Sequence, residues 1–189
     1  GHNAQTALVA LLAALPLADC ASTRAIRALA RWFPHGDHTG AALGIAQRDD
    51  LSGDLSLAFT CLALDADGVH IGQRDLPVPA VRAMIGPDRI LGLSVSNADQ
   101  LRAVDAALVD YLGMGPVFPT ISKLNAPPVL GVDGFAALAS QSPLPVVAIG
   151  GLDAERARLV RATGAASGIA VVSAICGAED PEAAARALA

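Results

Sequence analysis

From residue 64 onward, short apolar runs rich in β-branched residues alternate with segments of helical length. Both faces of these runs are apolar, which is typical of parallel strands covered by helices. Short connections between each strand and the next helix predict a parallel sheet, either closed into a barrel or open and doubly wound. The strands predicted in this part are Asp67–Ile71, Ile90–Val95, Val109–Met114, Pro145–Ile149 and Gly168–Val172.

Helices are predicted between and after these strands. Pro77 suits the first turn of a helix, and the side chains of Asn97 and Asp153 suit helix N-caps. The predicted helices are Pro77–Ile85, one from Asn97 to about Ala107, Val132–Ser140, one from Asp153 to about Thr163, and Pro181–Ala189.

The first third of the chain has a weaker pattern. A helix is predicted over Ala21–Phe33, and strands are predicted at Ala41–Ala46, at Asp54–Thr60 and within the apolar run Thr6–Cys20. The total of seven or eight strands predicts a (β/α)8 TIM barrel. A chain of 189 residues is short for that fold, so the N-terminal portion is expected to be abbreviated or diverged. We expect one domain over residues 1–189, with Gly1 and His2 as a remnant of a cleaved tag.

Composition excludes several classes of protein. With 13 basic and 18 acidic side chains the formal net charge is −5, which argues against nucleic-acid binding. The apolar fraction of 53% excludes disorder, and Thr6–Cys20 is shorter than the roughly 20 residues that a membrane helix needs. Three widely spaced cysteines predict buried thiols in a reducing, cytoplasmic environment.

Polar residues follow the predicted strands, where parallel α/β barrels place their active sites. Asp75 is either a capping residue of its loop or a carboxylate ligand of Mg²⁺. Ser94 is near a strand end, where a hydroxyl usually caps the next helix. The loop from Gly115 to Lys123 holds two prolines, two hydroxyls and a lysine, a composition that suits an anionic phosphate.

Two later turns also suit a phosphate. The fourth of the five strands ends in Gly150 and Gly151, and the fifth in Val172 and Ser173. Glycines at such turns let backbone N–H groups approach an anion, although tight turns alone also require glycine. His70 lies inside a strand and is interpreted as a histidine satisfied by its neighbours rather than as a catalyst.

Together these residues resemble the thiamine-phosphate synthase family, which shares a barrel fold with the related thiazole tautomerases. The resemblance covers Leu62–Ala189, about two-thirds of the chain. The motifs that carry it, in family order and spacing, are ADGVHIGQRDLP (Ala66–Pro77), GLSVS (Gly92–Ser96), DYLGMGPVFPTISK (Asp110–Lys123), PVVAIGGL (Pro145–Leu152) and VVSAI (Val171–Ile175).

The resemblance implies a transferase of thiamine biosynthesis. Such enzymes couple hydroxymethylpyrimidine diphosphate to hydroxyethylthiazole phosphate and release pyrophosphate. Ionisation of the diphosphate gives a pyrimidine carbocation, which the thiazole nitrogen captures. Mg²⁺ and cationic side chains stabilise the departing negative charge. The implied partners are small phosphorylated substrates, with neither nucleic acid nor membrane, and a homo-oligomer is one of the arrangements left open.

The resemblance also implies roles for individual residues. Lys123 resembles the diphosphate contact and Ser94 the serine near the reacting groups, and both are catalytic candidates. Asp75 resembles the Mg²⁺ ligand. The substrate- and phosphate-binding candidates are Thr120, Ser122, Gly150, Gly151, Val172, Ser173, Gln47 and Arg48.

The chain departs from the family pattern in its N-terminal third. Gln47 and Arg48 are the nearest match to a glutamine–x–arginine–x–lysine motif, and no lysine follows them. Leu55 and Ser56 occupy the positions of an asparagine–aspartate pair. Two alternatives therefore stay open: a catalytically impaired homologue that binds a phosphate ligand, and a different phosphate-binding barrel enzyme such as an isomerase.

Overall fold

A computed structural model describes residues 7–12, 43–47, 62, 67–120 and 126–188. The strands of this part are β1 Ala7–Leu12, β2 Leu43–Gln47, β3 Gly68–Ile71, β4 Ile90–Val95, β5 Tyr111–Met114, β6 Val146–Ile149 and β7 Gly168–Val171. The helices are α1 Val78–Ile85, α2 Ala98–Arg102, α3 Gly131–Ala139, α4 Ala154–Ala162, α5 Ser173–Cys176 and α6 Pro181–Leu188. The predictions for Gly1–His2, Ala21–Phe33 and Asp54–Thr60 lie outside the described residues.

The strands form one sheet in the order β2-β1-β7-β6-β5-β4-β3. Strands β3 to β7 are parallel, as predicted. Cα atoms of the two outer strands, β2 and β3, lie within 8 Å of each other, so the sheet curls. The described strands therefore form an α/β fold around a curled parallel sheet, and the closed eight-stranded barrel stays a prediction.

The expectation of an all-parallel sheet is wrong for β1. This strand runs antiparallel to β7 on one side and to β2 on the other. An apolar run identifies a covered strand but carries no information about its direction, so the sequence could not predict this reversal. Because the direction reverses twice, β2 points the same way as β7, and Gln47 at its end lies at the edge formed by the carboxyl ends of the parallel strands.

The two faces of the parallel strands differ in composition. One face packs against the helices and forms the apolar core, which includes Leu91, Leu93, Leu112 and Met114. The opposite, concave face carries small and polar residues at alternate positions of neighbouring strands. These residues are Gly68, His70, Gly92, Ser94, Tyr111, Gly113 and Gly168, and the apolar residues Ile90 and Val147 lie in the same rows.

Both predicted helix caps are confirmed. Asn97 Oδ1 accepts a hydrogen bond from the Gln100 N–H at 2.9 Å, and Asp153 Oδ1 accepts one from the Arg156 N–H at 2.9 Å. Helix α2, however, ends at Arg102 rather than near Ala107. The carboxylate of Asp105 accepts the Ala107 N–H at 3.0 Å, which stabilises a turn in place of another helical turn.

Two further observations bear on expectations from composition. None of the helices in the described part of the chain is both long and apolar enough to cross a membrane. Cys176 is exposed at the end of the four-residue helix α5, so the prediction of a buried thiol is wrong at this position. The short helix leaves its last residue at the surface, whereas Cys20 and Cys61 lie outside the described residues.

Candidate active site

On the concave face of the sheet, three side chains from three adjacent strands are linked by hydrogen bonds. His70 of β3 lies between Tyr111 and Ser94, with Nδ1 3.0 Å from the Tyr111 hydroxyl and Nε2 2.9 Å from Ser94 Oγ. Gly113 makes room for the imidazole, because a Cβ at this position would lie 2.8 Å from His70 Cε1. The interpretation of His70 as a histidine satisfied by its neighbours agrees with this geometry.

The environment of Tyr111 keeps its hydroxyl protonated. Burial raises the pKa of the Tyr111 hydroxyl far above its ordinary value, and the negative charge of Asp110 raises the pKa further. The hydroxyl therefore keeps its proton, and the direction of its hydrogen bond with His70 Nδ1 follows the tautomer of the imidazole. In the tautomer with its proton on Nε2, His70 accepts from Tyr111 and donates to Ser94 Oγ, and the Ser94 hydroxyl proton is then available to a bound ligand.

Ser94 is held from a second direction. It lies within β4 rather than at a helix cap, and its carbonyl oxygen accepts a hydrogen bond from Gln73 Nε2 at 2.6 Å. Gln73 belongs to the turn that follows β3, so this bond joins the carboxyl ends of the two strands. The alternative interpretation of Ser94 as a helix cap is therefore wrong, since Asn97 caps helix α2 as predicted.

Asp75 ends the same turn after β3. Its Oδ2 accepts the Gly72 N–H at 2.6 Å, so the carboxylate shapes its own loop. This hydrogen bond uses one oxygen of the Asp75 carboxylate, and a carboxylate can still bind a cation through its other oxygen. Among the described residues, no group of three or more His, Cys, Asp or Glu side chains could hold a metal ion. Within the described part of the chain, Asp75 therefore fits Mg²⁺ as a single ligand, with substrate phosphates and water completing the coordination.

The loop after β5 and the turn after β6 pack directly on each other. Val117 N–H donates to the Ile149 carbonyl at 2.9 Å, and Phe118 N–H donates to the Gly150 carbonyl at 3.1 Å. Gly150 and Gly151 have φ angles of +90° and +67°, which favour glycine. A Cβ on Gly151 would also lie 2.7 Å from the Phe118 carbonyl oxygen. Both glycines are thus required by this contact.

Arg156 of α4 contacts both of these segments. Its Nη1 donates to the Gly151 carbonyl at 2.7 Å, and its guanidinium carbon lies 5.0 Å from the centroid of the Phe118 ring. Thr120 follows two residues after Phe118 and is half-buried. The hydroxyl of Thr120 therefore belongs to a segment that is fixed against the Gly150–Gly151 turn.

The structure brings several of the predicted site residues to one edge of the sheet. Ile149 pairs with Ala170, so Gly150 and Gly151 leave the sheet beside the carboxyl end of β7, from which Val172 and Ser173 follow. Gln47 lies at the same edge on β2, while Lys123, Ser122 and Arg48 lie outside the described residues.

Sequence reasoning missed Tyr111 and Arg156 as members of this region. Tyr111 is paired with Gly92 in the sheet, and Gly92 is paired with His70, so the three residues form one row across the strands. Only the register between strands reveals that row. Arg156 had a local signal, since it follows the Asp153 cap by three residues at the start of α4.

Comparisons with known proteins agree with this architecture. The family profile described as thiamine monophosphate synthase matches residues 27–175. A thiamine-phosphate synthase of Laribacter hongkongensis is 54% identical over 127 residues, which are 67% of this chain and 59% of that protein. A thiamine-phosphate synthase of Moorella thermoacetica is 41% identical over 165 residues, which are 87% of this chain and 71% of that protein.

A solved structure is similar as well. The thiamine phosphate pyrophosphorylase from Pyrococcus furiosus superposes with a TM-score of 0.61 at 40% identity, covering 69% of this chain and 61% of that one. The chain spans about three-fifths of the length of the curated relatives that it matches over 127 residues. On the family profile, these relatives and the shared curled sheet, the chain belongs to the thiamine monophosphate synthase family.

Proposed function

We propose that this chain is a thiamine-phosphate synthase, a transferase that joins hydroxymethylpyrimidine diphosphate to hydroxyethylthiazole phosphate. The bond between the pyrimidine methylene carbon and the diphosphate oxygen breaks, pyrophosphate leaves, and the thiazole nitrogen bonds to that carbon. The observation that carries the proposal is the packing of the Gly150–Gly151 turn on the loop after β5. This packing supports a fixed phosphate site at the carboxyl edge of the sheet.

The thiazole phosphate binds, in this proposal, where three loops meet. Backbone N–H groups of the Gly150–Gly151 turn and of Val172 and Ser173 face the phosphate, as glycine turns and strand ends do in phosphate-binding barrels. Hydroxyls of Thr120 and Ser122 complete the site. The stiffness of the loop, with its two prolines, lowers the entropy lost when the ligand orders it.

Ser94 and Lys123 act on the reacting groups. The Ser94 hydroxyl, held by His70 and by Gln73, donates to the diphosphate as its negative charge develops. Lys123 contacts the same diphosphate with its ammonium group, and Gln47 and Arg48 line the pyrimidine side. The imidazole of His70 positions Ser94 and takes no proton from the substrate.

Asp75 is the residue that would hold Mg²⁺. Bound there, Mg²⁺ would neutralise part of the diphosphate charge and so make pyrophosphate a better leaving group. The carboxylate lies at the end of the turn after β3, close in sequence to the Gln73 side chain that contacts Ser94.

The single domain over residues 1–189 and a cytoplasmic location stay predictions of the sequence.

A second candidate function is ligand binding without coupling. Leu55 and Ser56 stand where the family pattern has an asparagine–aspartate pair, and no lysine follows Gln47 and Arg48. The loss of these groups weakens metal and diphosphate binding while leaving the thiazole phosphate site intact. This candidate predicts that thiazole phosphate binds and that no pyrophosphate is released.

The test is release of pyrophosphate by the purified protein with both substrates and Mg²⁺. We expect release that depends on both substrates, and a loss of at least about tenfold in Ser94→Ala because one donor to the leaving group is gone. Ser140→Ala is the matched control, because Ser140 is exposed at the end of α3 and bonds only within its own turn. No release by the wild type, or full activity of Ser94→Ala, contradicts the proposal.

Lys123 offers an independent readout, because it is the one lysine in the sequence. An amine-selective reagent therefore labels the Lys123 peptide and the N-terminus, and mass spectrometry separates the two. We expect the substrate diphosphate with Mg²⁺ to slow labelling of Lys123 and to leave labelling of the N-terminus unchanged. Equal labelling rates with and without the diphosphate would remove Lys123 from the proposed site.

A further inference from the structure

The guanidinium of Arg156 joins two segments that both belong to the proposed phosphate site. We propose that Arg156 is a positioning residue that fixes the Gly150–Gly151 turn against the Phe118–Pro119 segment and thereby sets the affinity for the phosphate ester. This inference rests on the proposed function for the ligand, and on the contacts of Arg156 for the residue.

The contacts use the planar shape of the guanidinium. Nη1 donates to the Gly151 carbonyl at 2.7 Å, Nε lies 3.5 Å from Asp153 Oδ2, and the guanidinium carbon lies 5.0 Å from the Phe118 ring centroid. A planar fork can donate at its edge and stack on a ring with its face at the same time. A lysine ammonium has neither the fork nor the face, so it cannot reproduce this set of contacts.

The turn needs such a restraint. Gly150 and Gly151 have positive φ angles, and glycine moves among many backbone conformations at little cost. The hydrogen bond to the Gly151 carbonyl fixes the peptide plane that follows the turn. The Phe118 contact fixes the loop, whose own N–H already bonds the Gly150 carbonyl at 3.1 Å.

The restraint comes from a rigid element. Arg156 lies in the first turn of α4, a nine-residue helix whose Ala157 and Val160 are fully buried in the core. Asp153, the N-cap of this helix, accepts the Arg156 N–H as well. Sites built on helices hold their geometry better than sites built on loops alone. Arg156 therefore transmits the position of the helix to two loops of the proposed site.

The test is calorimetric titration of the purified protein with hydroxyethylthiazole phosphate. For Arg156→Met we expect the Kd to rise about tenfold, since a charge-assisted hydrogen bond that orders the turn is lost. Arg156→Lys should recover less than half of the binding free energy that Arg156→Met loses, because lysine keeps the charge but not the planar fork. Arg158→Met is the matched control on the exposed side of the same helix, with an expected Kd within about twofold of the wild type.

A double-mutant cycle with Phe118→Leu separates positioning from general destabilisation. If Arg156 acts by holding Phe118, the combined variant binds more tightly than the sum of the two single losses predicts. Additive losses, or full recovery of affinity in Arg156→Lys, overturn the inference. An unchanged Kd in Arg156→Met overturns the inference about Arg156 and leaves the proposed function standing. Failure of the wild type to bind the ester overturns the proposed function as well.

Discussion

At the scale of residues, the concave face of the sheet depends on glycines that leave space for two aromatic rings. A Cβ at Gly113 would lie 2.8 Å from His70 Cε1, which is closer than real Cβ contacts. The ring cannot move far, because both of its nitrogens are hydrogen-bonded. The position of Ser94 therefore depends on a residue that has no side chain.

We expect Gly113→Ala to displace the imidazole, lower pyrophosphate release and reduce the free energy of unfolding by about 1–3 kcal/mol. Urea unfolding measures the second effect. Gly134→Ala in α3 is the control, because its Cβ would meet only Leu130 Cβ at 3.8 Å. That variant should gain stability, by up to about 1 kcal/mol, since alanine favours the helix. Equal effects of the two substitutions would contradict the assigned packing.

Tyr111 is the only tyrosine in the chain, so its ionisation can be followed by tyrosinate absorbance without interference. Its pKa is raised in the folded protein above the ordinary value of 10.0, by burial and by Asp110. The unfolded chain therefore loses this proton at lower pH than the folded chain. The stability due to the neutral hydroxyl is present below about pH 10 and is lost as the pH rises above it.

We expect no tyrosinate signal near pH 10 from the folded protein, and a signal that appears only together with alkaline unfolding seen by circular dichroism. In urea the same band should titrate near pH 10. A tyrosinate step near pH 10 with the circular dichroism unchanged would mean that the Tyr111 hydroxyl is accessible to water, which would contradict its buried position beside His70.

At the scale of elements, Arg82 of α1 fastens the amino ends of β4 and β5, opposite the proposed site. It donates to the Leu108 carbonyl at 2.9 Å and to the Asp110 carboxylate at 2.7 Å, and Asp110 also accepts the Leu91 N–H at 2.7 Å. The Arg82 side chain is 13% exposed, so water replaces these bonds poorly.

We expect Arg82→Met to lower the free energy of unfolding by about 1–3 kcal/mol, because several carbonyls and a carboxylate lose their donor. Arg102→Met is the control, since Arg102 pairs with Asp99 at an exposed position of α2. Loss of this exposed ion pair should lower the free energy of unfolding by less than about 1 kcal/mol. A larger loss in the Arg102 variant than in the Arg82 variant, measured by urea unfolding, would contradict this assignment.

The elements also show which features a sequence can predict. Strands β3 to β7 and the caps at Asn97 and Asp153 follow from local patterns of apolar side chains and short polar ones. The reversed β1 does not, because apolar periodicity is the same in either direction. The end of α2 was missed because the Asp105 carboxylate competes for the backbone N–H groups beyond it.

The candidate site likewise has parts that the sequence predicts and parts that it does not. The Gly150–Gly151 turn and its place at a strand end were predictable, because glycine pairs mark such turns. The hydrogen-bonded contact of Tyr111, His70 and Ser94 was not predictable, since it depends on the register of three strands. The roles of Lys123, Ser122 and Arg48 stay predictions that rest on the family motifs.

At the scale of the whole molecule, the curled sheet brings loops that are distant in sequence to one edge. The loop after β5 and the turns after β6 and β7 come from three consecutive strand–helix units. Such an arrangement lets one small ligand contact several units, and a ligand that binds only the folded chain raises its stability by mass action. The central claim is that this edge binds a phosphate ester of the thiazole.

The most direct test is thermal unfolding of the wild type with increasing hydroxyethylthiazole phosphate, compared with the unphosphorylated alcohol. The account predicts that the unfolding midpoint rises with the concentration of the ester and stays constant with the alcohol, because the phosphate supplies the contacts. A midpoint that does not move with the ester, or that moves equally with both compounds, would contradict the assignment of a phosphate site to this edge.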